Sequence, residues 1–273
     1  MTTPIALTIA GSDSGGGAGI QADLKTFSAL GVYGASVITA LTAQNTQGVT
    51  GVLDVPVDFV RAQMDAVFGD LDIGAVKIGM LSQPETIRAV AEGLAAYRPP
   101  VVVLDPVMVA KSGDALLQPE AVETLVRSLL PLATLITPNL PEAARILDRA
   151  PVADASEMTE TARALLQLGP EAVLLKGGHL EAPVSPDVLV HAGGVEQFDA
   201  RRVTTKNTHG TGCTLSSAIA AFMARGLPLV EAVAEAKAYL TAAIEAADDL
   251  SIGHGQGPVH HFHALWPQKG RTR

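Results

Sequence analysis

Short apolar segments alternate with helical ones through the middle of the chain, and this alternation restricts the fold more than any other feature. Strands are predicted at 75–78, 101–104, 134–136 and 172–175. The helices between them are predicted at 84–97, 119–130, 139–147 and 157–168. Short apolar strands that alternate with helices are typical of βα units around a mostly parallel sheet. We therefore expect an α/β fold with helices on both faces of a mostly parallel central sheet.

The two ends of the chain continue this pattern. Further strands are predicted at 5–10, 36–43 and 49–55, and a hairpin at 188–191 and 195–198 around two glycines. Further helices are predicted at 20–30, 56–68, 214–225 and 229–249. We see no linker or repeat that would separate two units. We expect one domain over residues 1–266 and a frayed basic tail over 267–273.

The composition excludes several classes of protein. The net charge of −9 argues against a nucleic-acid partner, which requires a basic face. No apolar run approaches the ~20 residues of a membrane span, and the first residues lack the basic region of a signal peptide. The chain has a single cysteine, which excludes an internal disulfide and is typical of a reducing compartment. We expect a cytoplasmic protein that does not associate with membranes.

The stretch 207–216 is the strongest candidate for a site. It places Gly210 and Gly212 directly before an apolar helical pattern. The free N–H groups at such a helix start carry partial positive charge and bind anions, above all phosphate. The only cysteine, Cys213, lies there, and a helix N-terminus lowers the pKa of a thiol. A simple cap by Thr211 or Thr214 explains the same residues equally well.

Polar side chains follow the predicted strands where those strands end. They are Gln44, Asp105, Asn139 with Glu142 one turn later, and Lys176. In an open parallel sheet, ligands bind at the carboxyl ends of the strands. Carboxylates that hold Mg²⁺, a lysine and free N–H groups are what phosphoryl transfer requires. The set therefore indicates a phosphotransferase site.

Each of these residues also has an ordinary structural interpretation. Asp105 precedes a proline, and its role could be no more than to begin a turn. Asn139 fits a helix N-cap, with Glu142 completing a capping box. Lys176 could be a solvated side chain at a strand end, and His209 could either pack against the loop or act as a base.

Glycines dominate the loop at 11–19, where they permit close approach of the backbone to a small ligand. Residues 17–22 nominally fit a dinucleotide fingerprint, but the acidic residue expected about 20 positions later is missing. We therefore favour a small ligand other than a dinucleotide. The histidines at 260, 261 and 263 leave a metal site open as a weaker alternative.

Seven motifs together resemble one known family. They are Gly11-Ser12-Asp13 through Lys25, Gln44-Asn45-Thr46, Lys77-Ile78-Gly79-Met80, Asp105-Pro106-Val107-Met108, Thr137-Pro138-Asn139-Leu140-Pro141-Glu142, Lys176-Gly177-Gly178-His179 and Asn207 through Thr214. The resemblance extends to about residue 266. It is to the hydroxymethylpyrimidine/phosphomethylpyrimidine kinases of thiamine biosynthesis, in the ribokinase-like superfamily.

This resemblance implies a ribokinase-like three-layer sandwich and a two-step activity. The family uses ATP and Mg²⁺ to phosphorylate 4-amino-5-hydroxymethyl-2-methylpyrimidine, and then phosphorylates the monophosphate. It also implies a homodimer. A pyridoxal or pyridoxine kinase of the same superfamily is the nearest alternative, and a catalytically silent sensor of the pyrimidine is an alternative from another class.

The resemblance also implies roles for individual residues. Gln44 would bind the aminopyrimidine, in a pocket lined by Gly11, Ala18, Asp23, Met80 and Val107. Mg²⁺ would be organised by Asp105 and Glu142. The nucleotide would be faced by Asn139, Lys176, Thr211 and Lys237. The charge of the transferring group would be held by the amides of Gly210, Thr211, Gly212 and Cys213, and the Cys213 thiolate would accept the hydroxyl proton.

Overall fold

A computed structural model describes residues 2–108, 119–152, 154–180 and 184–266. Within these ranges the strands are β1 (Ile5–Asp13), β2 (Tyr33–Asn45), β3 (Gly48–Asp54), β4 (Ala75–Ile78), β5 (Val102–Leu104), β6 (Leu135–Ile136), β7 (Ala172–Lys176), β8 (Val184–His191) and β9 (Gly194–Arg201). The helices are α1 (Gly19–Ala29), α2 (Val57–Phe68), α3 (Pro84–Tyr97), α4 (Pro119–Ser128), α5 (Leu140–Ile146), α6 (Met158–Leu166), α7 (Thr211–Ala224) and α8 (Leu229–Glu245). The tail predicted at 267–273 lies outside the described residues.

The strands form one sheet in the order β3-β2-β1-β4-β5-β6-β7-β8-β9. The six strands from β2 to β7 in this order run parallel to one another. Antiparallel strands flank them, β3 at one edge and the β8–β9 hairpin at the other. The predicted parallel sheet and the predicted hairpin are therefore confirmed.

Alternating side chains of the parallel strands face two separate hydrophobic cores. In β1, Leu7 and Ile9 pack with α2 to α6, whereas Ala6 packs with α1, α7 and α8 on the opposite face. Val103 of β5 also faces that second core, between neighbours that face the first. Helices cover both faces because the strands of a parallel sheet are apolar on both sides.

No helix in the described part of the chain is long and apolar enough to cross a membrane.

Several boundaries differ from the sequence prediction. Strand β1 continues to Asp13 rather than ending at residue 10, because Ser12 and Asp13 still pair with β2 beyond a bulge. Helix α4 ends at Ser128, and a short 3₁₀ helix, Leu130–Leu132, follows it. Pro131 in this short helix has no N–H and cannot continue an α-helical ladder. The final helix ends at Glu245 rather than at residue 249, where a 3₁₀ turn, Ala247–Asp249, replaces it.

Candidate active site

A cavity of about 760 Å³ lies where the parallel strands end at their carboxyl side. The loops after β1, β4, β5, β6 and β7 reach it, and so does the first turn of α7. Every predicted site residue except Asp23 lines this one cavity. The residues that were predicted from the strand ends therefore lie together around one cavity.

Helix α7 begins with an uncapped turn that faces the cavity. Its N-cap residue is Gly210, in the left-handed conformation with φ +80°, and within the described chain no side chain caps it. The Thr214 hydroxyl instead donates to the carbonyl oxygen of Gly210 at 2.8 Å. A Cβ at Gly210 would lie 1.9 Å from the carbonyl oxygen of Gly17. The cap interpretation is therefore wrong. The Thr211 amide donates to the carbonyl oxygen of Thr208 at 3.5 Å, and the amides of Gly212 and Cys213 that follow it are available to an anion.

Asp13 organises the glycine-rich loop, and the sequence analysis did not assign it a role. Its carboxylate accepts hydrogen bonds from the amides of Gly15, Gly17 and Ala18 at 2.8, 3.0 and 2.9 Å. The Nε2 atom of His209 lies 2.8 Å from the same carboxylate. Burial raises the pKa of Asp13, but the hydrogen bond and charge of His209, together with the amides of Gly15 and Ala18, outweigh it and lower the pKa below its usual value. His209 therefore joins the glycine loop to the start of α7.

Asp105 and Lys176 form an ion pair in the cavity wall. The Nζ atom of Lys176 lies 2.9 Å from Oδ1 of Asp105, and the Thr137 hydroxyl donates to the same oxygen at 3.1 Å. Burial lowers the pKa of Lys176, but the charges of Asp105 and Glu142 raise it above its usual value. The solvated-lysine interpretation is therefore wrong. A Cβ at Gly212 would lie 3.4 Å from Asp105 Oδ2 and 3.5 Å from Lys176 Nζ, so the first turn of α7 closes directly over this pair.

Asn139 and Glu142 form the capping box of α5 and also line the cavity. The amide of Asn139 donates to Glu142 Oε2 at 2.7 Å, and the amide of Glu142 donates to Asn139 Oδ1 at 2.8 Å. Burial raises the pKa of Glu142 to about 7, with Lys176 opposing the shift and Asp105 adding to it. The capping interpretation is confirmed. The capping box holds the Glu142 carboxyl in a fixed position near the carboxylate of Asp105.

The thiol of Cys213 does not have the lowered pKa that its position at a helix start predicts. Burial raises the pKa of Cys213 to about 11. The ammonium of Lys77 and a hydrogen bond from the Gly19 amide oppose this rise, and the carboxylates of Asp23 and Asp105 add to it. The sequence expectation was wrong because desolvation of the thiolate outweighs the helix terminus at this depth.

Asp23 is the predicted pocket residue that the structure places elsewhere. It is fully buried between α1, β1, β4 and α7, and its carboxylate lies 2.8 Å from the Nζ of Lys77. The hydroxyls of Thr8 and Ser217 each donate to it at 2.6 Å. Asp23 is therefore not part of the cavity lining, but it is the partner of Lys77, a buried lysine that does line the cavity. Lys77 was missed, although a single lysine in the apolar strand β4 was a signal for it.

Lys237 reaches the cavity from α8 and pairs with a buried carboxylate that the sequence analysis also missed. Its Nζ donates to Asp187 of β8 and, at 3.1 Å, to the carbonyl oxygen of Ser185. The amide of Gly177 also donates to Asp187, at 3.0 Å. Burial raises the pKa of Asp187, and Lys237 opposes the shift. The carboxylate thus fixes both a lysine and the loop after β7 at the cavity edge.

The C-terminal histidines have structural contacts. The Nε2 of His261 lies 3.1 Å from the Thr214 hydroxyl, and burial lowers the pKa of His261 to about 3. The ring of His260 packs edge-on against Trp266, and the ring of His263 packs at a tilt against Tyr239. These contacts hold the segment after α8 against α7 and α8. They give the three histidines roles in packing.

Comparison with known proteins gives consistent results. The phosphomethylpyrimidine kinase family matches residues 13–260. The chain is 62% identical to the hydroxymethylpyrimidine/phosphomethylpyrimidine kinase of Rhizobium meliloti, over 97% of this chain and 99% of that protein. The crystal structure of phosphomethylpyrimidine kinase from Clostridium difficile matches with a TM-score of 0.79 and 50% identity, over 88% of this chain and 99% of that one. An ADP complex of Bacillus subtilis pyridoxal kinase matches with a TM-score of 0.89 and 37% identity, over 96% and 99%.

Proposed function

The chain belongs to the phosphomethylpyrimidine kinase family, and from this premise we propose that it phosphorylates 4-amino-5-hydroxymethyl-2-methylpyrimidine and then its monophosphate, with ATP as donor. In the first step, the hydroxymethyl oxygen forms a bond to the γ-phosphorus, and the bond from that phosphorus to the β–γ bridging oxygen breaks. ADP leaves, and the hydroxyl proton passes to the thiolate form of Cys213, which becomes the neutral thiol. The observation that supports this most directly is the uncapped start of α7 over the Asp105–Lys176 pair, inside a cavity large enough for both substrates.

The first turn of α7 and Lys176 are suited to neutralise phosphate charge. The transition state of phosphoryl transfer is loose and spreads negative charge over the equatorial oxygens of the transferring group. The amides of Gly210 to Cys213 point from an uncapped helix end, where partial positive charge is concentrated. Positioning and charge neutralisation therefore supply most of the rate enhancement in this mechanism.

The acidic residues of the cavity fit Mg²⁺. Asp105 and Glu142 are both buried, and the charge of Asp105 contributes to the raised pKa of Glu142. A hard cation that takes oxygen ligands would relieve this repulsion, and Mg²⁺ is bound through one or two carboxylates and substrate phosphates. When bound, the ion supplies further neutralisation of phosphate charge. Asn139, Thr211 and Lys237 would bind the nucleotide along the same wall.

The pyrimidine fits the opposite part of the cavity, between the glycine loop and the loops after β4 and β5. Gly11 has no side chain there, and a Cβ at this position would lie 2.6 Å from Cε of Met80. Ala18 and Val107 add small apolar surfaces, and Gln44 adds the polar group. We propose that the ring stacks within these surfaces while the Gln44 amide hydrogen-bonds to its polar edge.

The activity is tested by incubating the protein with MgATP and either hydroxymethylpyrimidine or pyridoxal, and detecting products by mass. We expect mono- and diphosphate products from the pyrimidine, and a higher kcat/KM for the pyrimidine than for pyridoxal. Higher turnover of pyridoxal would favour the alternative kinase activity. The absence of any ATP-dependent product would favour a sensor that binds the pyrimidine without reaction.

Replacing Gln44 by alanine is expected to raise KM for the pyrimidine by roughly tenfold while KM for ATP changes little. The physical reason is the loss of hydrogen bonds to the ring edge, each worth roughly 0.5–1.5 kcal/mol. Steady-state kinetics with each substrate varied in turn measures both constants. Equal increases in the two KM values would contradict the role of Gln44 in binding the ring.

The homodimer implied by the family resemblance stays a prediction. Leu41, Val52 and Leu53 expose apolar side chains on the antiparallel β2–β3 edge. An exposed strand edge with apolar side chains is a surface that proteins usually cover. This edge is therefore where we expect the second subunit.

A further inference from the structure

We propose that Asp13 and His209 orient the side-chain amide of Gln44 so that its oxygen faces His209, and that this orientation selects a 4-aminopyrimidine over a 4-oxopyrimidine. The inference rests on the proposed function and deepens it, because it names the residues that make the pocket specific. Gln44 touches the ring in this scheme, whereas Asp13 and His209 act through Gln44 as positioning residues.

Nε2 of His209 carries a hydrogen. Nε2 of His209 lies 2.8 Å from Oδ2 of Asp13, which is buried and also accepts two backbone amides. A carboxylate has no hydrogen to donate, so the hydrogen in this contact belongs to Nε2. This holds whether the imidazole is neutral or protonated. Nε2 therefore has no lone pair with which to accept a second hydrogen bond.

The ring of His209 is also fixed in place. Its backbone amide donates to the carbonyl oxygen of Gly257 at 3.0 Å, and its carbonyl oxygen accepts from Val259 at 3.4 Å. On the other side, a Cβ at Gly17 would lie 2.3 Å from Cδ2 of the imidazole. The imidazole is thus held between two segments of backbone, and Nε2 keeps its position relative to Gln44.

The second step concerns the two ends of the Gln44 amide. One end lies 3.4 Å from His209 Nε2 and the other lies 3.1 Å from the Thr42 hydroxyl. That hydroxyl also lies 2.8 Å from the carbonyl oxygen of Ser12, which can only accept. Thr42 has a single hydroxyl hydrogen, and the carbonyl oxygen of Ser12 takes it. The hydroxyl oxygen can therefore only accept a hydrogen bond from Gln44.

Both contacts lead to the same assignment of the amide. An N–H end toward His209 would place two donors against each other, and an oxygen end toward Thr42 would have no hydrogen to accept. Rotating the amide by 180° satisfies both neighbours, and amide oxygen and nitrogen are assigned from such networks rather than from shape. The Gln44 oxygen then lies 3.4 Å from the Nε2–H of His209, which it shares as a weaker acceptor with Asp13, and the Gln44 nitrogen donates to Thr42. One N–H and one oxygen lone pair remain for a ligand.

The third step links this orientation to the chemistry of the ring. A 4-aminopyrimidine offers an amino donor at C4 and an acceptor at N3, which match the amide oxygen and the amide N–H. The amino group then lies on the His209 side. The hydroxymethyl carbon is attached at C5, next to C4 and away from N3, so it also lies on that side. His209 is followed directly by Gly210 and the first turn of α7, where the phosphoryl group would be transferred.

A 4-oxopyrimidine presents the reverse pattern, with an acceptor at C4 and a donor at N3. With its hydroxymethyl group kept on the His209 side, next to the first turn of α7, it would pair with the Gln44 amide only if the N–H end faced His209, and the Nε2 hydrogen opposes that orientation. Removing the hydrogen should therefore remove the preference. His209→Leu deletes the donor at similar size, and His209→Gln keeps an N–H near the position of Nε2.

The test is isothermal titration of the full chain with 4-amino-5-hydroxymethyl-2-methylpyrimidine and with 5-hydroxymethyl-2-methylpyrimidin-4-one. We expect the preference for the amino ligand, given by the Kd of the 4-oxo ligand divided by the Kd of the 4-amino ligand, to fall by roughly tenfold in His209→Leu. This is the size of one hydrogen bond. The ratio should remain near that of the unsubstituted chain in His209→Gln. A role of His209 in loop packing alone would weaken both ligands equally and leave the ratio in His209→Leu unchanged, which would overturn the proposal.

Thr42→Val gives a second variant in case His209→Leu does not fold. It deletes the acceptor that holds the other end of the amide, so the same fall in the ratio is expected, with Thr42→Ser as its hydroxyl-retaining control. An unchanged ratio in Thr42→Val would also count against the proposal. Titration measures binding without turnover. A result against the orientation of Gln44 is therefore separate from a result against the proposed kinase activity.

Discussion

Replacing Asp23 by leucine is expected to lower the free energy of unfolding by roughly 3–5 kcal/mol, the usual cost of removing one partner of a buried ion pair. Lys77 and Asp23 are both fully buried, and the carboxylate oxygens lie 2.8 and 2.9 Å from the lysine Nζ. Without Asp23, the buried ammonium loses the carboxylate that compensates its charge. Urea denaturation followed by circular dichroism measures the change.

The matched control is the double variant Asp23→Leu with Lys77→Met. Replacing both members of a buried pair by apolar residues of similar volume is often close to neutral. We therefore expect the double variant to recover most of the stability that Asp23→Leu loses, although the hydroxyls of Thr8 and Ser217 also lose their acceptor. If Asp23→Leu folded normally and only raised KM for the pyrimidine, Asp23 would be a pocket residue after all, and its pairing with Lys77 would not explain its role.

This pair illustrates where sequence reasoning reached its limit. Strand β4 reads Ala-Val-Lys-Ile, and its alternation alone places Lys77 on the face of the sheet that α1 and α7 cover. Its partner is 54 positions away on α1, and two hydroxyls from β1 and α7 complete the site. Only the packing of four elements brings these groups together. Local spacing therefore marks the lysine but cannot identify its partner.

The order of the elements and the location of the site were predictable for a simple physical reason. Parallel strands joined by helices must all end at one edge, so polar residues that follow several strands must meet there. Asp105, Asn139 and Lys176 meet at one cavity in this way, and their meeting could be predicted without knowing any contact across the sheet. The pairing of Asp13 with His209, across 196 positions, depends instead on how two loops fold against each other.

The thiol of Cys213 shows a different limit. Its position at the start of α7 was predicted, although the helix begins at Thr211 rather than at residue 214. The predicted direction of its pKa shift was wrong. A helix terminus favours the thiolate, and this can be read from the sequence, whereas desolvation depends on the elements that cover the sulfur. Burial prevails here despite the nearby Lys77 ammonium. The same terms determine what the residue can do in catalysis.

Replacing Cys213 by alanine is expected to lower kcat by roughly 10²–10⁴-fold, the usual contribution of a general base. KM for the pyrimidine should change little, because in the proposed binding mode Gln44 and the apolar surfaces around it, rather than Cys213, hold the ring. Steady-state kinetics with both substrates measures the effect. An unchanged kcat would exclude Cys213 from proton transfer, and the reaction would then depend on positioning and charge neutralisation alone.

Cys213→Ser is the matched control, because serine keeps a small polar side chain but is a much weaker acid than cysteine. If the thiolate accepts the proton, the serine variant should be about as slow as the alanine variant.

The pH profile of kcat adds an independent test. Since burial raises the pKa of Cys213 to about 11, the thiolate is the minor form near pH 7, and its fraction increases with pH up to that value. The kcat of the unsubstituted chain should therefore rise between pH 7 and pH 10 by up to roughly tenfold per unit, and this rise should be lost in Cys213→Ala. A profile that is flat over this range in both proteins would show that no thiolate takes part in the rate-limiting step.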